Sequence, residues 1–214
     1  MARNDESRKR LLFLVQFSIL LAIEAIVCFT PLGSIPIPPL VATLGMVPVI
    51  ITAILLGIGP GAAMGFFAGL FSFIVWTFMP PSPLAFVFTP FYSVGAVSGN
   101  FWSLVICFVP RILVGVVAGV SFKLLNRASK NGPLVYGLSG VLGSLTNTFL
   151  VLGGIVLFFG QDYASVLGVS MDILLGLISG TILTNGIPEA VVSAVVAYAV
   201  CRPLRRYSRN PAVR

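Results

Sequence analysis

The chain has 214 residues, of which 57% are hydrophobic and 9% charged, with a net charge of +7 and a mean hydropathy of +1.06. A soluble domain carries about 25% charged residues, so water is excluded as the solvent for most of this surface. Hydrocarbon is the alternative, where a spanning helix takes about 20 mostly apolar residues; the length allows about six such segments with loops. The chain has no histidine, which removes histidine-based zinc and haem sites and Ser-His or Cys-His catalysis. Cys28, Cys107 and Cys201 fall in three different apolar segments with neither metal spacing nor a pairing pattern, and read as buried small hydrophobes.

In chain order, the charged stretch Met1–Arg10 leads directly into a full-length apolar run without an Ala-x-Ala-like cleavage site, so a retained first helix is expected. Apolar run length, with Pro, Gly and polar clusters as breaks, places the first span at about 11–30 and a short second span at about 40–57. Pro31, Pro36, Pro38 and Pro39 stiffen the loop between them. Gly57-Ile-Gly-Pro-Gly61 is expected to turn into a third span at about 61–78. A long loop from Met79 to Asn100 carries Pro80, Pro81, Pro83 and Pro90 among Phe86, Phe88, Phe91 and Tyr92. The fourth and fifth spans fall at about 101–124 and 134–159, with a polar turn from Asn126 to Pro133. Two further apolar pieces follow, about 164–183 and 185–203, parted by Thr184-Asn-Gly-Ile-Pro188.

Charge decides how many of these pieces cross. Lys and Arg concentrate in cytoplasmic loops. Here they cluster at Arg3, Arg8, Lys9 and Arg10, at Lys123, Arg127 and Lys130, and at Arg202, Arg205, Arg206, Arg209 and Arg214. Six crossings put all three clusters inside; seven would put the richest outside. The expected fold is therefore an all-α integral membrane protein with six transmembrane helices and an additional outer-face or re-entrant helical segment at 164–183. A cytoplasmic tail at 1–10, a transmembrane domain at 11–203 and a basic cytoplasmic tail at 204–214 complete the organisation. The positive charge is a topology signal, since nucleic-acid binding would need a soluble basic surface. Trp76 and Trp102 are expected in an outer aromatic belt. Gly61, Gly65 and Gly69, with Gly115 and Gly119, form stripes that let helix backbones approach closely.

Ionisable groups inside spans are costly and point to function. Glu24, Arg111 and Glu189 are the ones left once loops and tails are set aside. At ~1.5 Å per residue, Glu24 lies roughly 20 Å from the inner start of its span and Arg111 roughly 15 Å from the outer start of its own. Asn147 lies roughly 20 Å into the fifth span, and Asn185 precedes Glu189 by one turn. All five can meet between the midplane and the outer face. Either Arg111 pairs with Glu24 or Glu189 and locks the bundle, or the group lines a pocket in which Arg111 takes a ligand carboxylate. In the second reading the asparagines supply neutral donors and acceptors, and the aromatic loop, through Phe88 and Tyr92, forms a lid.

Several stretches resemble the substrate-binding S components of energy-coupling factor (ECF) vitamin transporters, in particular the pantothenate-type branch. They are Phe29-Thr-Pro-Leu-Gly-Ser-Ile-Pro-Ile-Pro38, Val47-Pro-Val-Ile-Ile51, Leu56-Gly-Ile-Gly-Pro-Gly-Ala-Ala-Met-Gly65, Phe108-Val-Pro-Arg-Ile-Leu-Val-Gly-Val-Val-Ala-Gly119, Thr146-Asn-Thr-Phe-Leu-Val-Leu-Gly153 and Asn185-Gly-Ile-Pro-Glu189. The resemblance implies a six-helix, non-enzymatic binder in a bacterial cell membrane. It also implies docking on a membrane scaffold subunit with two ATPase subunits, and import driven by ATP. Family members dock through small residues four apart on the first helix; Ser18-Ile-Leu-Leu-Ala22 is the nearest match, with serine at the first position. The chain lacks the G-x-x-x-x-G-K-[ST] pattern, so ATP hydrolysis falls to partners, and no cofactor or metal is implied. Pantothenate suits one arginine and two asparagines chemically. Riboflavin or another vitamin, a self-sufficient secondary transporter and an intramembrane enzyme using Glu24 and Glu189 are the rival readings.

Overall fold

A computed structural model describes residues 2–30, 35–37, 40–42, 44–129 and 132–209. Seven helices account for most of them: α1 (Ala2–Phe29), α2 (Met46–Leu56), α3 (Ile58–Phe78), α4 (Phe101–Ala128), α5 (Pro133–Leu167), α6 (Met171–Thr181) and α7 (Ile187–Arg209). Two small antiparallel hairpins interrupt them, β1 (Ile35–Ile37) with β2 (Leu40–Ala42) and β3 (Ser93–Val94) with β4 (Val97–Ser98). Among the described residues, five apolar helical stretches are long enough to cross a bilayer, and the shorter apolar α2 makes a sixth segment. Large side chains such as Phe78, Leu134 and Leu157 stand about three-quarters exposed. In lipid that exposure carries none of its aqueous cost.

The expected spans are present with shifted ends. α2 begins at Met46, because β2 takes up the first residues assigned to it, and Pro48 sits in its first turn where no N–H is needed. Gly57 closes α2 at φ +108°, a conformation that side chains resist, and α3 starts at once at Ile58. α5 does not stop at 159. Gly160-Gln-Asp162 stays helical, and the helix ends at left-handed Gly168 (φ 67°), where Val169 N–H reaches back to the Ala164 carbonyl. At ~1.5 Å per residue α5 outreaches the ~30 Å hydrocarbon core.

Segment 164–183 consequently divides. Its first residues end α5, and the rest forms α6, which is capped by Ser170 and joins α7 through a π-helical turn, Ile182–Gly186. α6 is the additional helical segment, and it is continuous with the last span, Met171–Arg205. Pro188 accounts for the widened turn. It has no N–H for the Thr184 carbonyl, and Ile187 N–H bonds Ile182 five residues back.

The stripes of small residues form the α3–α4 seam. An added Cβ at Gly61 would meet Ala53 and the Gly115 carbonyl, and one at Gly65 would run into the Arg111 carbonyl. Gly119 lies against Ile58, so the start of α3 neighbours the far end of α4. The Arg205 guanidinium lies 4.5 Å from the Phe122 ring centroid, which brings the end of α7 to that same basic end. Phe17 and Phe29 of α1 touch Phe67 and Phe71 of α3 in rising order, so α1 also starts there. Pro31, Pro38, Pro39 and Lys130 lie outside the described residues, as do the side chains of Pro36 and of the basic residues after Arg205.

Buried apolar residues form two clusters. One, at the basic end, joins α2 to α3, α4, α5 and α7 through residues such as Ile50, Met64 and Tyr136. The other, at the opposite end, gathers Phe86, Phe88, Phe159 and Leu174. Arg111, Asn147 and Glu24 are buried polar groups outside both.

Candidate binding site

The loop between α3 and α4 folds inward. Ser82 caps a short 3-10 helix, Pro83–Val87, whose residues Leu84–Val87 are buried. Ser103, which completes a capping box with Asn100 at the start of α4, also donates its hydroxyl to the Phe86 carbonyl at 2.7 Å. Thr77 and Thr89 join the loop to α3 through a 2.8 Å hydroxyl pair. These ties push Phe88 into the bundle, where Trp76 stacks on it at 4.6 Å.

Phe88, Trp76 and Leu84 form one wall of a cavity whose other sides are Arg111 of α4, Asn147 and Ile155 of α5, and Asn185 and Glu189. About 80 Å³ of it is open to the centre of a water-sized sphere, room for several waters or the body of a small polar solute. Arg111 is 3% exposed; its Nη1 donates to the Ile106 carbonyl at 2.8 Å, and its Cζ lies 5.3 Å from the centre of the Phe88 ring. The Arg111 Nε, the Asn147 Oδ1 and the Asn185 Oδ1 are buried without a hydrogen-bond partner. A buried polar atom left unbonded costs about 1–3 kcal/mol, and the three residues that carry these atoms all border the one cavity.

The π-turn brings Asn185 to this position. Gly186 beside it lets Thr148 of α5 close in, since a Cβ there would strike the Thr148 methyl. Glu189, four residues on and so on the same helix face, borders the cavity half-buried. Five of the seven expected binding residues thus surround one space: Arg111, Asn147, Asn185, Glu189 and Phe88.

The other two do not border it. Glu24 is fully buried between α1 and the start of α2, where the Cys28 thiol donates to its Oε1 at 3.2 Å and its Oε2 has no partner. Tyr92 is half-buried and packs against the second apolar cluster, its carbonyl accepting the Gly99 N–H. It misses the cavity because the inward fold of the loop ends at Thr89.

Trp76 departs from its expected place in an aromatic belt. It is 7% exposed and lines the cavity, whereas Trp102 is 44% exposed and stacks on Phe158 at 4.0 Å. Thr148, Tyr163 and Thr181 also border the cavity. In the sequence they are common residues of apolar helices, and nothing there marked them. Ser18 and Ala22 stand exposed on α1.

The family described as the substrate-specific component of ECF transporters matches residues 12–201. The chain belongs to that family. A relative named pantothenic acid transporter PanT, from Lactococcus lactis subsp. cremoris, is 38% identical over 173 residues, covering 80% of this chain and 82% of its own. A pantothenate transporter PanT from Leuconostoc mesenteroides subsp. mesenteroides is 30% identical over 202 residues, covering 91% and 92%. This S component is thus a membrane-embedded, substrate-specific transport subunit and not an enzyme. Its family assigns it a vitamin substrate and an ECF module to work with.

Proposed function

We propose that this S component binds pantothenate in the cavity at Arg111 and delivers it for ATP-dependent uptake. The observation that carries the reading is the set of unbonded buried atoms around one space, a guanidinium N–H and two amide oxygens. Pantothenate brings a carboxylate for the guanidinium, and hydroxyls and an amide N–H for the acceptors. Phe88, Trp76 and Ile155 face its gem-dimethyl body. Both relatives named for pantothenate support the choice of vitamin. Glu24, held by Cys28 away from the cavity, is outside the ligand contacts, and Tyr92 belongs to the loop that covers the site.

We place the protein in a bacterial plasma membrane with both termini cytoplasmic. The ends of α4 and α7 and the start of α1 lie together and carry the basic groups, which favours that face as the inner one. The cavity then lies toward the outside. The exposed Ser18 and Ala22 of α1 are our candidate contact with a membrane scaffold subunit, itself coupled to two ATPases. Small residues there allow close helix approach.

Calorimetric titration of the purified subunit with pantothenate, riboflavin, thiamine and biotin tests the ligand. Heat with pantothenate and none with the others is expected. Heat with another vitamin alone overturns the assignment.

A further inference from the structure

Residue 110, in the middle of α4, is a proline. In a regular α-helix the N–H of residue 110 would bond the carbonyl of residue 106, and proline has no N–H to give. The Ile106 carbonyl is therefore released from the helix ladder within a buried stretch of α4, Ile106 being 2% exposed. A buried carbonyl needs a partner. It finds one in the next side chain along, since Arg111 Nη1 donates to it at 2.8 Å.

We propose that Pro110 is a positioning residue for Arg111: by withholding one backbone N–H it gives the guanidinium a neutral anchor, and so sets the preference of the site for a carboxylate over an uncharged head group. The inference rests on reading Arg111 as the carboxylate-binding residue.

The geometry supplies the mechanism. Helical side chains lean toward the N-terminal end of their helix, and the freed carbonyl lies that way from residue 111. Bonding to it draws the guanidinium toward the start of α4, across the face of Phe88 at 5.3 Å. Phe88 is itself backed by Trp76. With Nη1 engaged and one face covered, Nε remains buried and unbonded, on a residue that borders the cavity. A carboxylate anchor would neutralise the guanidinium as it held it. A carbonyl holds it without adding a negative charge of its own. An ordinary residue at 110 would return a backbone N–H to Ile106, and Arg111 would then compete for an oxygen already bonded.

The test uses the full chain purified in detergent, with pantothenate and its alcohol analogue, in which a hydroxymethyl group replaces the carboxylate. Pro110→Ala and Pro110→Ser each restore the N–H. Both are expected to fold, because proline within a helix is itself unfavourable, and a thermal melt checks this. Each is expected to lower pantothenate affinity about tenfold, the scale of one misplaced charge-assisted hydrogen bond. The preference for pantothenate over the alcohol is expected to fall by the same factor. Combined with Arg111→Ala, the proline substitution is expected to change pantothenate affinity by less than about twofold, since residues acting through one group are not additive. Equal losses for both ligands, a loss that persists without Arg111, or no loss in the single variants would each overturn the role of Pro110. Unchanged pantothenate affinity in Arg111→Ala alone would instead remove the reading beneath it.

Discussion

The two ends of this bundle are closed by different means. At the basic end, backbone meets backbone: Gly61 and Gly115 let α3 and α4 touch, and short α2 fills the space beside them with Ile50 and Ile54. At the other end α2 is absent, and a folded loop takes its place. That loop fills its half of the core with Phe86 and Phe88, and side chains leave gaps that backbones in contact do not. One end is thus a rigid seam made by omitting side chains. The other is a cavity made by side chains that fail to meet. Arg111 sits at the junction, its carbonyl against Gly65 in the seam and its guanidinium in the cavity.

Breaking the cavity at its charged member gives the largest expected effect. Arg111→Ala should weaken pantothenate binding by about 2–5 kcal/mol, as expected when a buried charge loses its partner, and calorimetry on the folded variant measures it. Breaking the seam comes next. Gly65→Ala places a methyl against the Arg111 carbonyl, where no flexible side chain can yield. It should destabilise the protein by about 1–3 kcal/mol, the usual cost of overpacking. Gly153 has nothing within 4 Å of an added Cβ, so Gly153→Ala should be neutral or gain up to about 1 kcal/mol from helix propensity. Thermal melts in detergent compare the two. If both glycines respond alike, the contrast between seam and open surface fails.

Smaller effects sharpen the comparison. Asn147→Leu and Asn185→Leu should each cost about 1–2 kcal/mol of ligand binding while leaving the melting temperature unchanged or higher, because each removes a buried oxygen that has no partner in the protein. A lower melting temperature with normal binding would make these asparagines structural. Ala22→Trp should leave vitamin binding within about twofold of the wild type, an exposed position being tolerant of change. It should, however, reduce co-purification with the scaffold subunit; an intact complex would exclude that face of α1.

Much of the site was legible in the sequence because charge in hydrocarbon is costly wherever it sits. Arg111, Glu189 and the asparagines stood out from their apolar surroundings before any fold was known. Trp76 and Tyr92 did not yield to the same reasoning. An aromatic residue is at home at an interface, in a core or against a ligand, and composition does not separate these. The hydroxyl ties at Ser103 and Thr77, with the apolar packing around Phe86, hold the loop inward, so that Phe88 and Trp76 line the cavity while Tyr92 does not.

By itself the sequence determined the solvent, the number of apolar segments and the positions of the costly charges, because transfer into lipid depends on composition and run length. The tertiary structure decided where α5 ends, that α6 continues into α7, and which polar atoms share a space. Those outcomes depend on contacts between segments far apart in the chain, such as Gly186 against Thr148 and Gly65 against Arg111, and run length carries no record of them.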